Sequence, residues 1–121
     1  NIMNENVNLI IPLVLLVLLT ICILAYYLIK PKKVIEKYDS GEIRKKYFVK
    51  SGNKVGIENV YYRDGKINKV KEYKNGKIHG IVTTYYPTGV KYIEANYEEG
   101  VLTGEYKIFE EDGNIKEIKK Y

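Results

Sequence analysis

Two hydrophobic patterns divide the chain. From Leu9 to Ile29 run 21 residues without a charge, dominated by Leu, Ile and Val. At about 1.5 Å per residue a helix of that length spans roughly 30 Å, the hydrocarbon thickness of a bilayer. The run is apolar all round, whereas a helix on a soluble core is amphipathic. It predicts a transmembrane helix over 9–29, with Pro12 in the first turn and Tyr26, Tyr27 and Lys30 as an interfacial anchor. Beyond it the pattern changes to runs of about six to eight residues rich in Tyr, Ile, Val and Thr, separated by short polar clusters. That is the pattern of half-buried strands and reversing turns.

The turns repeat. All ten glycines fall into three series with a step of 24 residues: Gly41, Gly65, Gly89 and Gly113; Gly52, Gly76 and Gly100; Gly56, Gly80 and Gly104. Tyr38, Tyr62 and Tyr86 keep the same step, as do Tyr61, Tyr85 and Phe109, and Tyr73, Tyr97 and Tyr121. A fixed period of this size marks a repeat architecture whose units bury apolar surface against their neighbours. The first glycine series ends the polar triplets Asp39-Ser40-Gly41, Arg63-Asp64-Gly65, Pro87-Thr88-Gly89 and Glu111-Asp112-Gly113, which read as hairpin turns with φ > 0 at the glycine. The other two series frame 52–56, 76–80 and 100–104, which read as slightly longer connections. Two strands per unit follow. The expected fold is an all-β repeat, a single-layer antiparallel meander of about eight strands after one transmembrane helix.

Two stretches carry a family pattern: Tyr61-Tyr62-Arg63-Asp64-Gly65 and Tyr73-Lys74-Asn75-Gly76-Lys77-Ile78-His79-Gly80. This arrangement of aromatics, glycines and a Gly-Lys-x-His-Gly segment resembles MORN repeats (membrane occupation and recognition nexus). It is most similar to the bacterial variant, whose members include antitoxins of toxin–antitoxin systems. The resemblance covers 38–121 and, through the antitoxin members, implies a toxin as a partner of the repeat domain. It departs from the pattern at Phe48-Val49, at Val55 and Thr103 in place of histidine, and at 105–121, which stops before a closing Gly-x-x-x-Gly.

Residues 1–8 form a short polar tail in this reading, and Asn1-Ile2 before Met3 is consistent with a truncated or processed form. A cleaved signal peptide competes with the anchor reading, but 1–8 carry Glu5 and no Lys or Arg, and Ala25 is the one weak cleavage candidate. Bulky Ile21 argues against lipidation at Cys22. Residues 30–37 read as a basic linker after the helix-breaking Pro31, with a first strand as the alternative for 34–38. Lys30, Lys32, Lys33 and Lys37 follow the apolar run and no basic residue precedes it, which places the repeats in the cytoplasm by the positive-inside rule; export of the repeat domain is the alternative.

Charge changes the picture next. Residues 30–77 hold 15 Lys and Arg against 6 Asp and Glu, whereas 78–121 hold 5 against 8. The basic half invites contact with anionic lipid through Lys30, Lys32, Lys33, Lys45, Lys46 and Lys69, the second functional reading: a structural membrane-surface protein. Alternation of Lys and Glu to keep strand edges soluble accounts for the same residues. Catalytic chemistry finds little support, since there is one His, one Cys, no phosphate loop and no metal-spaced ligand pair. His79 reads as a turn residue, and no catalytic group, cofactor or metal is expected. Nucleic acid is disfavoured because the distal half is acidic, although aromatic–basic strands can stack single-stranded bases. The tyrosines remain. As ladders they either form the thin core of the sheet or present Tyr61, Tyr62, Tyr85, Tyr86 and Phe109 to a protein partner. About 92 residues outside the helix bury only a modest core, so self-association or a partner is expected.

Overall fold

The computed structural model describes residues 2–121. It falls into two compact units, one ending at Lys30 that holds the helix and one over Pro31–Tyr121 that holds the sheet. Helix α1 spans Ile2–Ile29, so residues 2–8, expected as a tail, are helical. Glu5 in the first turn suits the positive end of the helix dipole. The earlier start also puts Pro12 inside the helix and not in its first turn, where its missing N–H leaves the Asn8 carbonyl without the usual helical donor. None of α1 is buried, and it is long and apolar enough to cross a membrane. The Thr20 hydroxyl donates to the Val17 carbonyl at 2.7 Å, so this polar group is satisfied within the apolar segment.

The second unit is one antiparallel sheet. Its strands are β1 (Lys32–Lys37), β2 (Ile43–Lys50), β3 (Asn53–Tyr61), β4 (Ile67–Lys74), β5 (Lys77–Ile78), β6 (Gly80–Tyr85), β7 (Lys91–Glu98), β8 (Val101–Phe109) and β9 (Ile115–Lys120). They lie in the order β1-β2-β3-β4-β6-β7-β8-β9, with β5 also paired to β4. Strands β5 and β6 occupy together the repeat positions of β3 and β8. A break at His79 makes nine strands of the expected eight. The stretch 30–37, read as a linker, instead supplies β1, whose Val34 and Ile35 pair with Tyr47 and Lys46.

Two kinds of turn alternate. In the first, Gly41, Gly65, Gly89 and Gly113 hold φ of 99°, 87°, 93° and 90°, as the period predicts. Each glycine N–H donates to the carbonyl three residues back, as Gly65 does to Tyr62 at 3.0 Å, the geometry of a three-residue hairpin loop. The second kind differs from expectation. Lys50 pairs with Asn53, Lys74 with Lys77 and Glu98 with Val101, leaving two-residue loops at Ser51-Gly52, Asn75-Gly76 and Glu99-Gly100. Both residues of each loop have positive φ, the signature of a type I′ turn, whose twist matches that of the strands. Gly56 and Gly104 therefore lie inside strands and Gly80 begins one, all still at positive φ and close to breaks in the pairing register. There they act as bulges that bend the strands, not as loop ends.

Cross-strand partners share a face, and alternation along each strand fixes the rest. One face, here termed covered, carries Glu58 opposite Lys71 and Val82 opposite Ala95. Glu58, Val82 and Ala95 are the buried residues, at 2%, 9% and 3% exposure, and all three lie on this face. The core is thin and one-sided.

Candidate binding face

The opposite face is open. Ten apolar or aromatic side chains of the sheet unit are exposed: Ile35, Phe48, Ile57, Ile67, Ile81, Tyr92, Val101, Ile115, Ile118 and Tyr121. Register and alternation put eight of them on the open face; the others are Tyr92, bulged out of β7, and Tyr121, opposite Gly104. Half-buried Val55, Val70, Tyr61, Tyr85 and Phe109 lie between them on the same face. The result is a set of aliphatic and aromatic side chains running across the sheet, interleaved with polar partners such as Lys46, Glu72 and Lys107.

The aromatic residues expected to meet a partner divide into two roles. Tyr61, Tyr85 and Phe109 end β3, β6 and β8 on the open face. Tyr62 and Tyr86 begin the three-residue turns, and their hydroxyls reach into the next repeat. Tyr38 donates to the Tyr61 carbonyl, Tyr62 to Tyr85 and Tyr86 to Phe109, each at 2.6 Å and each across 23 residues. The rings do not stack along the series; each fastens one unit to the next through a hydroxyl. Burial first, then the neighbouring Tyr92, Glu110 and Glu111, raises the Tyr86 phenol above its ordinary pKa, so the proton that makes its strut is held more firmly. Tyr86 also stacks on Tyr92 at 4.6 Å. At the fourth position of this series Glu110 has no such hydroxyl.

The lysines expected to meet lipid are not gathered on one surface. Lys32, Lys45 and Lys69 lie on the covered face, Lys33 and Lys46 on the open one, and Lys30 belongs to the helical unit, 5.1 Å from the Tyr27 ring. On the covered face Lys45 pairs with Glu36 at 3.0 Å, and its hydrogen bond holds the Glu36 carboxyl below the ordinary glutamate pKa.

A charged cluster on the covered face went unnoticed in the sequence. Buried Glu58 bonds Lys54 at 2.5 Å and lies 3.6 Å from Lys71, and Lys54 sits 4.4 Å from the Tyr47 ring and 5.1 Å from that of Tyr73. Burial disfavours the Lys54 ammonium, but the Glu58 hydrogen bond and charge outweigh it and raise its pKa. One repeat later the same positions hold Ile78, Val82 and Ala95, an apolar trio. Comparing the columns of the repeat would have exposed the cluster, since Glu58 stands where Val82 is core.

His79 sits between β5 and β6, its N–H donating to the Glu72 carbonyl at 2.9 Å and its Nδ1 accepting from the Glu99 N–H at 3.4 Å. It thus ties its bend to the following type I′ turn. Among the described residues no three of His, Cys, Asp and Glu come together as metal ligands would. An open cleft of about 370 Å³ lies between the first two three-residue turns, lined by Glu42, Ile43, Lys46, Tyr61, Arg63, Asp64 and Gly65.

With turns, struts and faces in place, the family follows. The model of the MORN repeat variant matches residues 54–75, 78–99 and 102–121, more than half of the chain. The chain belongs to that family. The matched segments start within β3, at the end of β5 and within β8, so the first two MORN units run from one bulged strand through the three-residue turn to the next type I′ corner, and the third runs through its three-residue turn into β9. The half unit in β1 and β2 lies outside the match yet pairs in the same way. No curated protein and no solved structure matches the chain.

Proposed function

We propose that this MORN repeat protein is a membrane-anchored, non-enzymatic binding module: α1 lies in a bilayer, and the sheet offers its open face to a partner protein. One observation carries the reading. Eight exposed apolar side chains share one face of a single-layer sheet, interleaved with polar partners such as Lys46, Glu72 and Lys107, and such an accumulation of exposed apolar residues supports an interaction that covers them. Tyr61, Tyr85 and Phe109 add rings that are amphipathic and stiff, the residue type that anchors interfaces. The lysines after α1 favour a cytoplasmic sheet. An antitoxin-like role, in which the partner is a toxin, is the finer form of this reading and rests on the resemblance to bacterial MORN variants.

The contest with lipid is decided by capture from detergent extracts of the full chain. Tyr85→Ala keeps the carbonyl that Tyr62 needs while removing an open-face ring; it should weaken partner capture by about 1 to 3 kcal/mol with little salt dependence. Lys45, Lys46 and Lys69 changed together to Gln should leave capture intact. If Tyr85→Ala retains every partner while the lysine variant loses them, the protein-docking reading fails. The division of those lysines between two faces favours the protein partner over a flat contact with lipid.

A further inference from the structure

The rings that end the strands on the open face form a track with one period. Tyr61 on β3, Tyr85 on β6 and Phe109 on β8 hold the same place in the repeat, and each lies directly opposite an aliphatic side chain or stem, Ile67, Lys91 and Ile115 in turn. In the sheet order these three strands are every second one. At about 4.8 Å per strand the rings recur every ~9.5 Å, and the three span about 19 Å. The slot before the first ring is already open, since Ile43 and Tyr61 line the cleft of about 370 Å³.

The track also holds unused donors. The hydroxyls of Tyr38, Tyr47, Tyr62 and Tyr86 are bonded, whereas those of Tyr61 and Tyr85 make no hydrogen bond among the described residues. An occupant that fits must bring backbone acceptors at the ring spacing. An α-helix has its carbonyls bonded within itself. A β-strand shows the same face every ~6.6 Å, out of step with the rings. A polyproline II segment has no internal hydrogen bonds, and with three residues per turn at about 3.1 Å each it repeats every ~9.3 Å. Of the three it alone matches both the period and the free donors. Charge then distinguishes the ends of the track. Beside Tyr61 the cations Lys46 and Arg63 share their cleft with Glu42 and Asp64, and beside Tyr85 Lys91 pairs with Glu94 at 3.2 Å. Beyond Phe109, exposed Glu110 and Glu111 form no ion pair among the described residues.

The geometry points to a proline-rich partner segment in the polyproline II conformation, laid across the strands over Tyr61, Tyr85 and Phe109, with a Lys or Arg beyond Phe109 against Glu110 and Glu111. Spanning the three rings takes about seven residues. Prolines lodge between the rings, over Ile67 and the Lys91 stem, as such segments do in aromatic-lined grooves. This rests on the protein-docking reading above and names the chemistry of the partner.

The test adds a fluorescent peptide of ten prolines followed by two arginines to the purified full chain in neutral detergent micelles and reads anisotropy. A glycine–serine peptide and an alanine-rich helical peptide, each carrying the same two arginines, serve as controls. The proline peptide should bind at least about tenfold more tightly than either, because it alone is already in the matching conformation. Tyr85→Phe removes one hydroxyl and should weaken it by about three- to tenfold. Tyr85→Ala removes the ring and should weaken it by about tenfold or more. Both keep the backbone carbonyl that accepts from Tyr62. Glu110→Gln with Glu111→Gln should weaken binding by about fivefold at low salt and hardly at all at high salt. Circular dichroism that melts as the parent does confirms that the variants fold. A proline peptide that binds no tighter than either control, tyrosine variants that both bind it as the parent does, or an acid-to-amide variant with parent affinity at low salt would each overturn the inference. Capture of a native protein through Tyr85 without binding of the proline peptide would overturn it too, yet leave the protein-docking reading standing.

Discussion

Replacing Glu58 by Val should destabilise the sheet, and replacing its two lysine partners as well should undo the damage. Glu58 is 2% exposed and holds Lys54 at 2.5 Å and Lys71 at 3.6 Å. Removing one partner from a fully buried ion pair costs about 3 to 5 kcal/mol, because the remaining charge is left without compensation. Here the stranded groups are Lys54 and Lys71, whose side chains keep 30% and 25% exposure and can reach water along their aliphatic stems. The expected loss for Glu58→Val is therefore about 1 to 3 kcal/mol. In a unit of this size that lowers the melting temperature by roughly 5 to 20 °C. The triple variant Lys54→Ile, Glu58→Val, Lys71→Ala reproduces the trio Ile78, Val82 and Ala95 that the next repeat already packs. Exchanging a buried charged cluster for apolar residues that fit is commonly neutral or stabilising by about 1 to 4 kcal/mol. Thermal and urea unfolding of the full chain in micelles, followed by far-ultraviolet circular dichroism, reads both effects. A single variant that melts with the parent, or a triple variant no better than the single, would refute the reasoning.

Other expectations follow from the turns, struts and surface pairs. Tyr62→Phe removes the 2.6 Å hydroxyl bond to the Tyr85 carbonyl and should cost about 0.5 to 1.5 kcal/mol in the same melts, with faster amide exchange at the neighbouring turn. Gly89→Val meets no atom within 4 Å of the added Cβ, so its cost of about 1 to 3 kcal/mol arises from φ +93° alone; Gly89→Asn, which tolerates that region, should recover most of it. The Glu36 carboxyl is held low mainly by the Lys45 hydrogen bond. Its contribution is thus present above the unfolded glutamate pKa and lost as pH falls through the lower folded value. Lys45→Gln should accordingly unfold more easily than the parent at neutral pH and converge with it in acid.

The turns were legible because chirality leaves few residues able to hold positive φ, so ten glycines at one spacing announce where the chain reverses. Their distinct roles were not. Gly52 and Gly56 look alike in sequence, and only the pairing of Lys50 with Asn53 shows that the first sits in a two-residue loop and the second in a bulged strand. Strand β1 was obscured because Lys32 and Lys33 follow Pro31, and basic residues after an apolar helix read first as an interfacial flank. The struts of Tyr38, Tyr62 and Tyr86 escaped because their acceptors are backbone carbonyls, which no side-chain pattern reports. The open face depends on the bulges: the extra residue in each shifts the alternation, so Ile67 and Ile115 share a face with Ile57 and Ile81 only once the register is known.

The central claim is that the open face meets protein. It is tested most directly by placing a photo-crosslinking residue in the full chain within its native membrane, at Ile57, Ile81 or Val101 on the open face and at Thr84 on the covered one. The account predicts adducts with a foreign protein from the three open-face positions and none from Thr84. Adducts with lipid alone, with second copies alone, or equally from Thr84 would contradict it.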